Sequence, residues 1–247
     1  MTPCVDRGGR RGAPYTAGSV AIYRLHRGTA FPDPEKAEPD GLLAVGGDLS
    51  PDRLISAYAR GIFPWYSEGS PILWWAPDPR TVLLPEELHV ARSLARTMRS
   101  GRYRVRSDTA FGHVVRRCAE KPRPGQDGTW IVPEMVDAYE ALHALGLAHS
   151  VEAWEGSELA GGLYGVSLGG TFFGESMFAD RADASKVAFA TLVAWMGARG
   201  FDLVDCQVET EHLRRFGARP ISRREFQARL AASLARPTLR GPWDVGS

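Results

Sequence analysis

The chain has 247 residues, 44% of them apolar and 24% charged, and a formal net charge of +1. That length supports one sizeable core or two smaller ones, and the composition excludes collagen-like and low-complexity chains. Its three cysteines (Cys4, Cys118, Cys206) have no paired spacing and no apolar run approaches the roughly 18–20 residues of a spanning helix, so a reducing cytoplasm is expected.

The first twenty residues are rich in Gly, Arg and Pro and lack the apolar stretch of a signal peptide. They read as a disordered extension, 1–20. Ser50-Pro51 opens a helix whose stripe is Leu54, Ile55, Tyr58 and Ala59, and Gly61 can end it. Turns and short strands follow, holding Phe63, Trp65, Tyr66, Trp74 and Trp75. Together these make a small N-terminal α/β subdomain over 21–85. From 86 to 247 the pattern changes. Helices are expected at 88–100, 109–119 and 133–145, with a strand at 103–105 between the first two. Strands at 149–153, 159–167 and 170–176 are split by the turn signals Glu155-Gly-Ser and Leu168-Gly-Gly. An Ala-rich buried helix at 184–198 stops at Gly200, a strand follows at 203–208, and helices near 210–216 and at 223–234 close the chain.

Charge is unevenly spread along these elements. From His89 to Asp127 ten basic residues stand against three acidic ones, and from His212 onward eight arginines stand against two acids. Two basic blocks in a near-neutral chain suit a polyanionic partner, although arginines on amphipathic helices are as readily plain solvated surface. The six histidines show no ligand spacing, so no metal is expected.

In the strand Leu203-Val-Asp-Cys-Gln207, alternation puts Leu203, Asp205 and Gln207 on one face. A carboxylate inside a core costs several kcal/mol, roughly, unless something compensates it. Either this face is a sheet edge in water or it looks into a site. The element order gives an α+β fold with a mixed, mostly antiparallel sheet, in which a helix crosses over to deliver this strand. The same order occurs in the acyl-CoA N-acyltransferase (GNAT-like) fold, whose substrates meet where two central strands splay. An acetyl-CoA-dependent amine acetyltransferase would need a Gly-rich turn before the 184–198 helix. Residues 177–186 contain no glycine and two Asp, so CoA is disfavoured.

Five segments carry a more specific likeness: GLLAVGGDLSPDRLISAYARGIFPWYSEGSPILWWAPDPR (41–80), GTWIVPEMVDAYEALHALGLAHSVE (128–152), LAGGLYGVSLGGTFFGESMF (159–178), ASK (184–186) and LVDCQV (203–208). With them the chain resembles the bacterial leucyl/phenylalanyl-tRNA–protein transferases over most of 30–230. The resemblance implies transfer of Leu, Phe or Met from aminoacyl-tRNA to a protein's N-terminal Arg or Lys, marking it for degradation, with no cofactor. It places the catalytic pair at Asp205 and Gln207, as a relay or as a holder of the amine while the tRNA ribose hydroxyl passes the proton. Leu163, Phe172, Ser176 and Met177 match positions at the aminoacyl side-chain pocket, with Leu163 replacing the more usual Met. Glu175 is a candidate for an ammonium or the terminal ribose. Trp65 beside Tyr58 resembles the platform for the 3′-terminal adenosine, and Trp130 is the family's other site tryptophan. The basic residues Arg92, Arg96, Arg99, Arg102, Arg104, Arg106, Arg116 and Arg117 would then carry the acceptor stem. A monomer is the default. The other reading still open, a non-enzymatic RNA-binding module, explains the basic blocks and Trp65 but gives Asp205 and Gln207 no purpose.

Overall fold

A computed structural model describes residues 22–121 and 131–246. The expected extension at 1–20 and Trp130 lie outside the described residues.

The described residues form two sheets flanked by helices. In the smaller sheet β1 (Tyr23–Leu25) lies parallel to β2 (Leu42–Gly46), which pairs antiparallel with β4 (Leu73–Trp75), itself paired with β3 (Phe63–Pro64). Helix α1 (Pro51–Tyr58) sits between β2 and β3 in the chain, with Pro51 in its first turn and Gly61 at φ 69 just past its end. Trp74 is fully buried in this unit and its indole N–H donates to Gly46 O at 2.8 Å.

The larger sheet has the order β11-β5-β10-β9-β8-β7-β6. Its strands are β5 (Arg80–Leu83), β6 (Arg104–Ser107), β7 (Ala148–Glu155), β8 (Glu158–Leu168), β9 (Thr171–Ala179), β10 (Leu203–Gln207) and β11 (Arg219–Ile221). Only the β9–β10 pair is parallel. Strand β5 falls inside the segment read as the small subdomain, yet it serves the large sheet between β11 and β10. Chain order hides this because its partners lie more than a hundred residues downstream.

Helices α2 (Arg92–Arg99) and α5 (Ala184–Ala198) cover one face of the large sheet. The other face carries α3 (Phe111–Glu120), α4 (Pro133–Ala144) and α7 (Arg223–Leu234), with α1 and the small sheet alongside. The short α6 (Glu211–Arg214) follows β10. Alternation along β10 sorts its side chains accordingly: Val204 and Cys206 pack toward α5, while Leu203 packs toward α7 and the small sheet. Among the described residues no helix is long and apolar enough to cross a membrane.

Candidate active site

Of the two settings its sequence left open, Asp205 is not at an edge in water, because β10 runs between β5 and β9; it stands on the lining of the cavity described below. It is fully buried, and both carboxylate oxygens accept from Arg80 on the neighbouring β5: Nε to Oδ1 at 2.8 Å and Nη2 to Oδ2 at 2.6 Å. The guanidinium is itself 1% exposed and sandwiched between the rings of Phe63 and Phe226, each 4.7 Å from its carbon. A forked, doubly bonded pair is the arrangement that makes a buried charge tolerable. Asp205 Oδ1 also accepts the backbone N–H of Gln207 at 2.9 Å. That bond holds Gln207 at φ 61, a region side-chain-bearing residues seldom adopt, where the β10–β5 register slips by one residue. The carboxylate therefore shapes the backbone that presents Gln207.

Glu175 faces Gln207 from β9. Gln207 Nε2 donates to Glu175 Oε1 at 3.0 Å, which leaves the Gln207 amide oxygen to accept from a bound molecule. Glu175 also meets Tyr58 Oη at 2.8 Å and Tyr139 Oη at 2.7 Å, and the two tyrosine oxygens are 2.7 Å apart. Three short O···O contacts in a closed triangle need three protons. The tyrosines hold two, so all three contacts are hydrogen bonds only when Glu175 is protonated. Burial pushes this carboxyl from 4.5 to about 7, with the charge of Asp205 adding to the rise and the tyrosine hydroxyls and Arg80 opposing it. Burial likewise holds both tyrosines neutral, well above their ordinary value.

A cavity of ≈ 360 Å³ opens beside this network. Its lining combines polar groups, Glu175, Asp205, Gln207, Ser176, Thr210 and His212, with apolar walls from Leu163, Phe172, Met177, Phe189 and Leu213. Two features of the strands create it. The β9–β10 ladder stops at Phe173 and Asp205 while β9 runs on to Ala179, so the strands part. Opposite β8 the register slips between Tyr164 and Gly165, making Glu175 an extra residue in β9. Simple alternation sets Phe172 and Met177 on opposite faces, but the bulge reverses the parity and brings both to the slot. Trp65, 38% exposed, stands on the cavity's lining with its ring 5.8 Å from Trp75. Tyr58, expected beside Trp65 as part of a stacking platform, is fully buried and reaches the cavity only through Glu175. Cys206 lies at the cavity too, but burial pushes its thiol far above the ordinary range, which leaves it no thiolate for attack.

Comparison with known proteins shows the family. The family model described as leucyl/phenylalanyl-tRNA protein transferase matches residues 82–231, and the model of its N-terminal domain matches 47–78. A leucyl/phenylalanyl-tRNA–protein transferase of Anaeromyxobacter sp. (strain Fw109-5) is 72% identical, covering 92% of this chain and 96% of the relative. That of Myxococcus xanthus (strain DK1622) is 62% identical, covering 88% and 93%. The chain belongs to the leucyl/phenylalanyl-tRNA–protein transferase family. Among solved structures, one titled "The structure of L-PGS from Bacillus licheniformis" aligns with a TM-score of 0.33 at 10% identity, over 78% of this chain and 64% of that one, too slight a likeness to define the fold.

Two residues of this candidate site were not named from sequence, Arg80 and Tyr139. Both lie inside the family-like segments. The signal for Arg80 was the buried carboxylate itself, which demands a cation, though nothing in the sequence says which of the many arginines answers. Of the eight basic residues expected to meet tRNA, three have acidic partners: Arg102 with Glu155, Arg116 with Glu140, and Arg117 with Glu120 and Asp180. Arg92, Arg96 and Arg99 on α2 and Arg104 and Arg106 on β6 are exposed, and among the described residues no carboxylate pairs with them. The β6 arginines stand at the end of the sheet where Glu155 and Ala179 lie, the end at which the cavity opens. Four strand spacings separate β6 from β10, about 19 Å.

Proposed function

We propose that this chain moves a leucyl, phenylalanyl or methionyl group from an aminoacyl-tRNA to the α-amine of an N-terminal Arg or Lys, tagging the acceptor protein for degradation. One observation carries the reading: a single cavity joins an apolar slot, sized for such a side chain, to the amide of Gln207 and the carboxyl of Glu175. The slot takes the donor side chain, Trp65 stacks on the terminal adenine, and the unpaired arginines of α2 and β6 meet acceptor-stem phosphates. Family membership, the parallel β9–β10 pair and the crossing α5 support a GNAT-like catalytic sheet. The protein is proposed to work as a monomer in the cytoplasm, where charged tRNA is found.

The chemistry is downhill, from ester to amide, and needs no ATP. An α-amine has a pKa of about 7.7–8.0, so forming the nucleophile is a small obstacle and alignment a larger one. In the proposed mechanism Gln207 Oε1 accepts from the amine and aims it at the ester carbonyl. The new C–N bond forms, the C–O bond to the terminal ribose breaks, and the ribose hydroxyl leaves with a proton. With a pKa of about 7, Glu175 is matched to take up the amine's surplus proton and return it. Asp205, with both oxygens committed to Arg80, is a positioning residue for Gln207 and not the base.

The test is to incubate the protein with an Arg-starting peptide and either Leu-tRNA or acetyl-CoA, then weigh the peptide. A leucine increment is expected. An acetyl increment, or none with either donor, overturns the proposal.

A further inference from the structure

The chain beyond α7 returns to the larger sheet at β6 and approaches Phe172, a wall of the cavity. Trp243 is 6% exposed, and its backbone is pinned to the β6 edge by hydrogen bonds. Its N–H donates to Asp108 Oδ2 at 2.8 Å, its carbonyl accepts from Ser107 Oγ at 2.7 Å, and that same Oγ accepts the Val245 N–H at 2.9 Å. Asp244 adds a fastening, accepting from Trp195 Nε1 at 2.9 Å and from Arg199 at 2.7 Å. The indole lies flat on His149, whose Nδ1 is 2.8 Å from Asp108 Oδ2, with centroids 3.8 Å apart and planes at 10°. Its ring also approaches Phe172, at 5.9 Å between centroids.

Phe172 is the fully buried wall of the slot, and it has nowhere else to go. Its ring rests against Gly165, where an added Cβ would stand 2.5 Å from the ring's Cζ. Gly165 and Trp243 both pack against Phe172 and limit how far its ring can shift. We infer that the segment 242–246, through Trp243, fixes the depth of the donor slot and so sets the preference between phenylalanyl and leucyl donors. The inference rests on the reading of that cavity as the donor side-chain slot. It adds a positioning residue outside the stretch that matches the family model, which ends at residue 231.

Removing the indole lets Phe172 retreat, deepening the slot in favour of the longer ring. Pocket walls discriminate by about 10–200-fold per misplaced methylene, and a buttress acting at one remove should shift the ratio by about three- to tenfold. The experiment measures kcat/KM with Phe-tRNA and with Leu-tRNA on one acceptor peptide, for Trp243→Phe, Trp243→Ala and Phe172→Leu, alongside thermal midpoints. Trp243→Phe keeps the test alive if Trp243→Ala fails to fold. A rise in the Phe/Leu ratio in a Trp243 variant supports the inference. Equal loss with both donors, while Phe172→Leu moves the ratio, overturns it and makes the tail mere scaffolding. An unmoved ratio in Phe172→Leu as well overturns the slot assignment itself.

Discussion

Replacing Glu175 by Gln isolates the proton held in the buried triangle. In the folded protein this carboxyl titrates at about 7, whereas in the unfolded chain it returns to its ordinary 4.5. Between those values the native state holds a proton that the unfolded state has released, so raising the pH favours unfolding. The contribution is fully present below 4.5 and is lost as pH climbs through about 7. At about 1.4 kcal/mol per pH unit, that rise amounts to about 3 kcal/mol, a large share of a typical domain's stability. Burial raises the Glu152 carboxyl as well, and it acts in the same direction, so wild type alone cannot isolate the effect. The variant can. Gln offers one acceptor for Tyr58 and Gln207 and one donor for Tyr139, keeps the shape, and has nothing to titrate. Urea unfolding of both proteins at pH 5, 6, 7 and 8 should show wild type losing about 2.5 kcal/mol more than Glu175→Gln across the range. Parallel profiles, agreeing within about 0.5 kcal/mol, would mean the triangle carries no extra proton, and the role of Glu175 as proton acceptor in transfer would fall with it.

Asp205→Asn should lower both transfer and stability, because it leaves Arg80 buried with half its partner; loss of one member of such a pair costs about 3–5 kcal/mol. Denaturation and single-turnover rates check this, and a variant as stable as wild type would show that the pair is not what supports the strand. Trp65→Ala should raise KM for aminoacyl-tRNA by about 5- to 150-fold, from a stacking loss of about 1–3 kcal/mol, with KM for the acceptor peptide unchanged. An unaltered donor KM removes Trp65 from the site. Changing Arg92, Arg96 and Arg99 together to Ala should flatten the dependence of log Kd for tRNA on log salt by roughly one unit for each phosphate no longer neutralised. A slope equal to that of wild type would mean α2 does not touch the nucleic acid.

Local chemistry announced much of this architecture. Pro51 and Gly61 bracket α1, the alternating strands and their turn signals mark β7 to β9, and the Ala-rich stretch before Gly200 becomes α5 with its expected bounds. These features depend on neighbours a few residues apart, which is where periodicity carries information. What escaped notice depends on distant pairing. Arg80 meets Asp205 across 125 residues, and Tyr139 meets Glu175 across a helix–sheet packing interface. The bulge at Glu175 shows the same limit within a single strand. A strict period of two cannot put Phe172 and Met177 on one side, and only the register with β8 reveals the extra residue that does. That residue also brings to the slot a carboxyl whose pKa is raised to about 7. The bulge thus performs two tasks at once: it turns both apolar side chains inward to line the cavity, and it drives Glu175 into the tyrosine pocket where burial raises its proton affinity. A straight β9 would present the slot or the acid, and the proposed transfer needs them side by side.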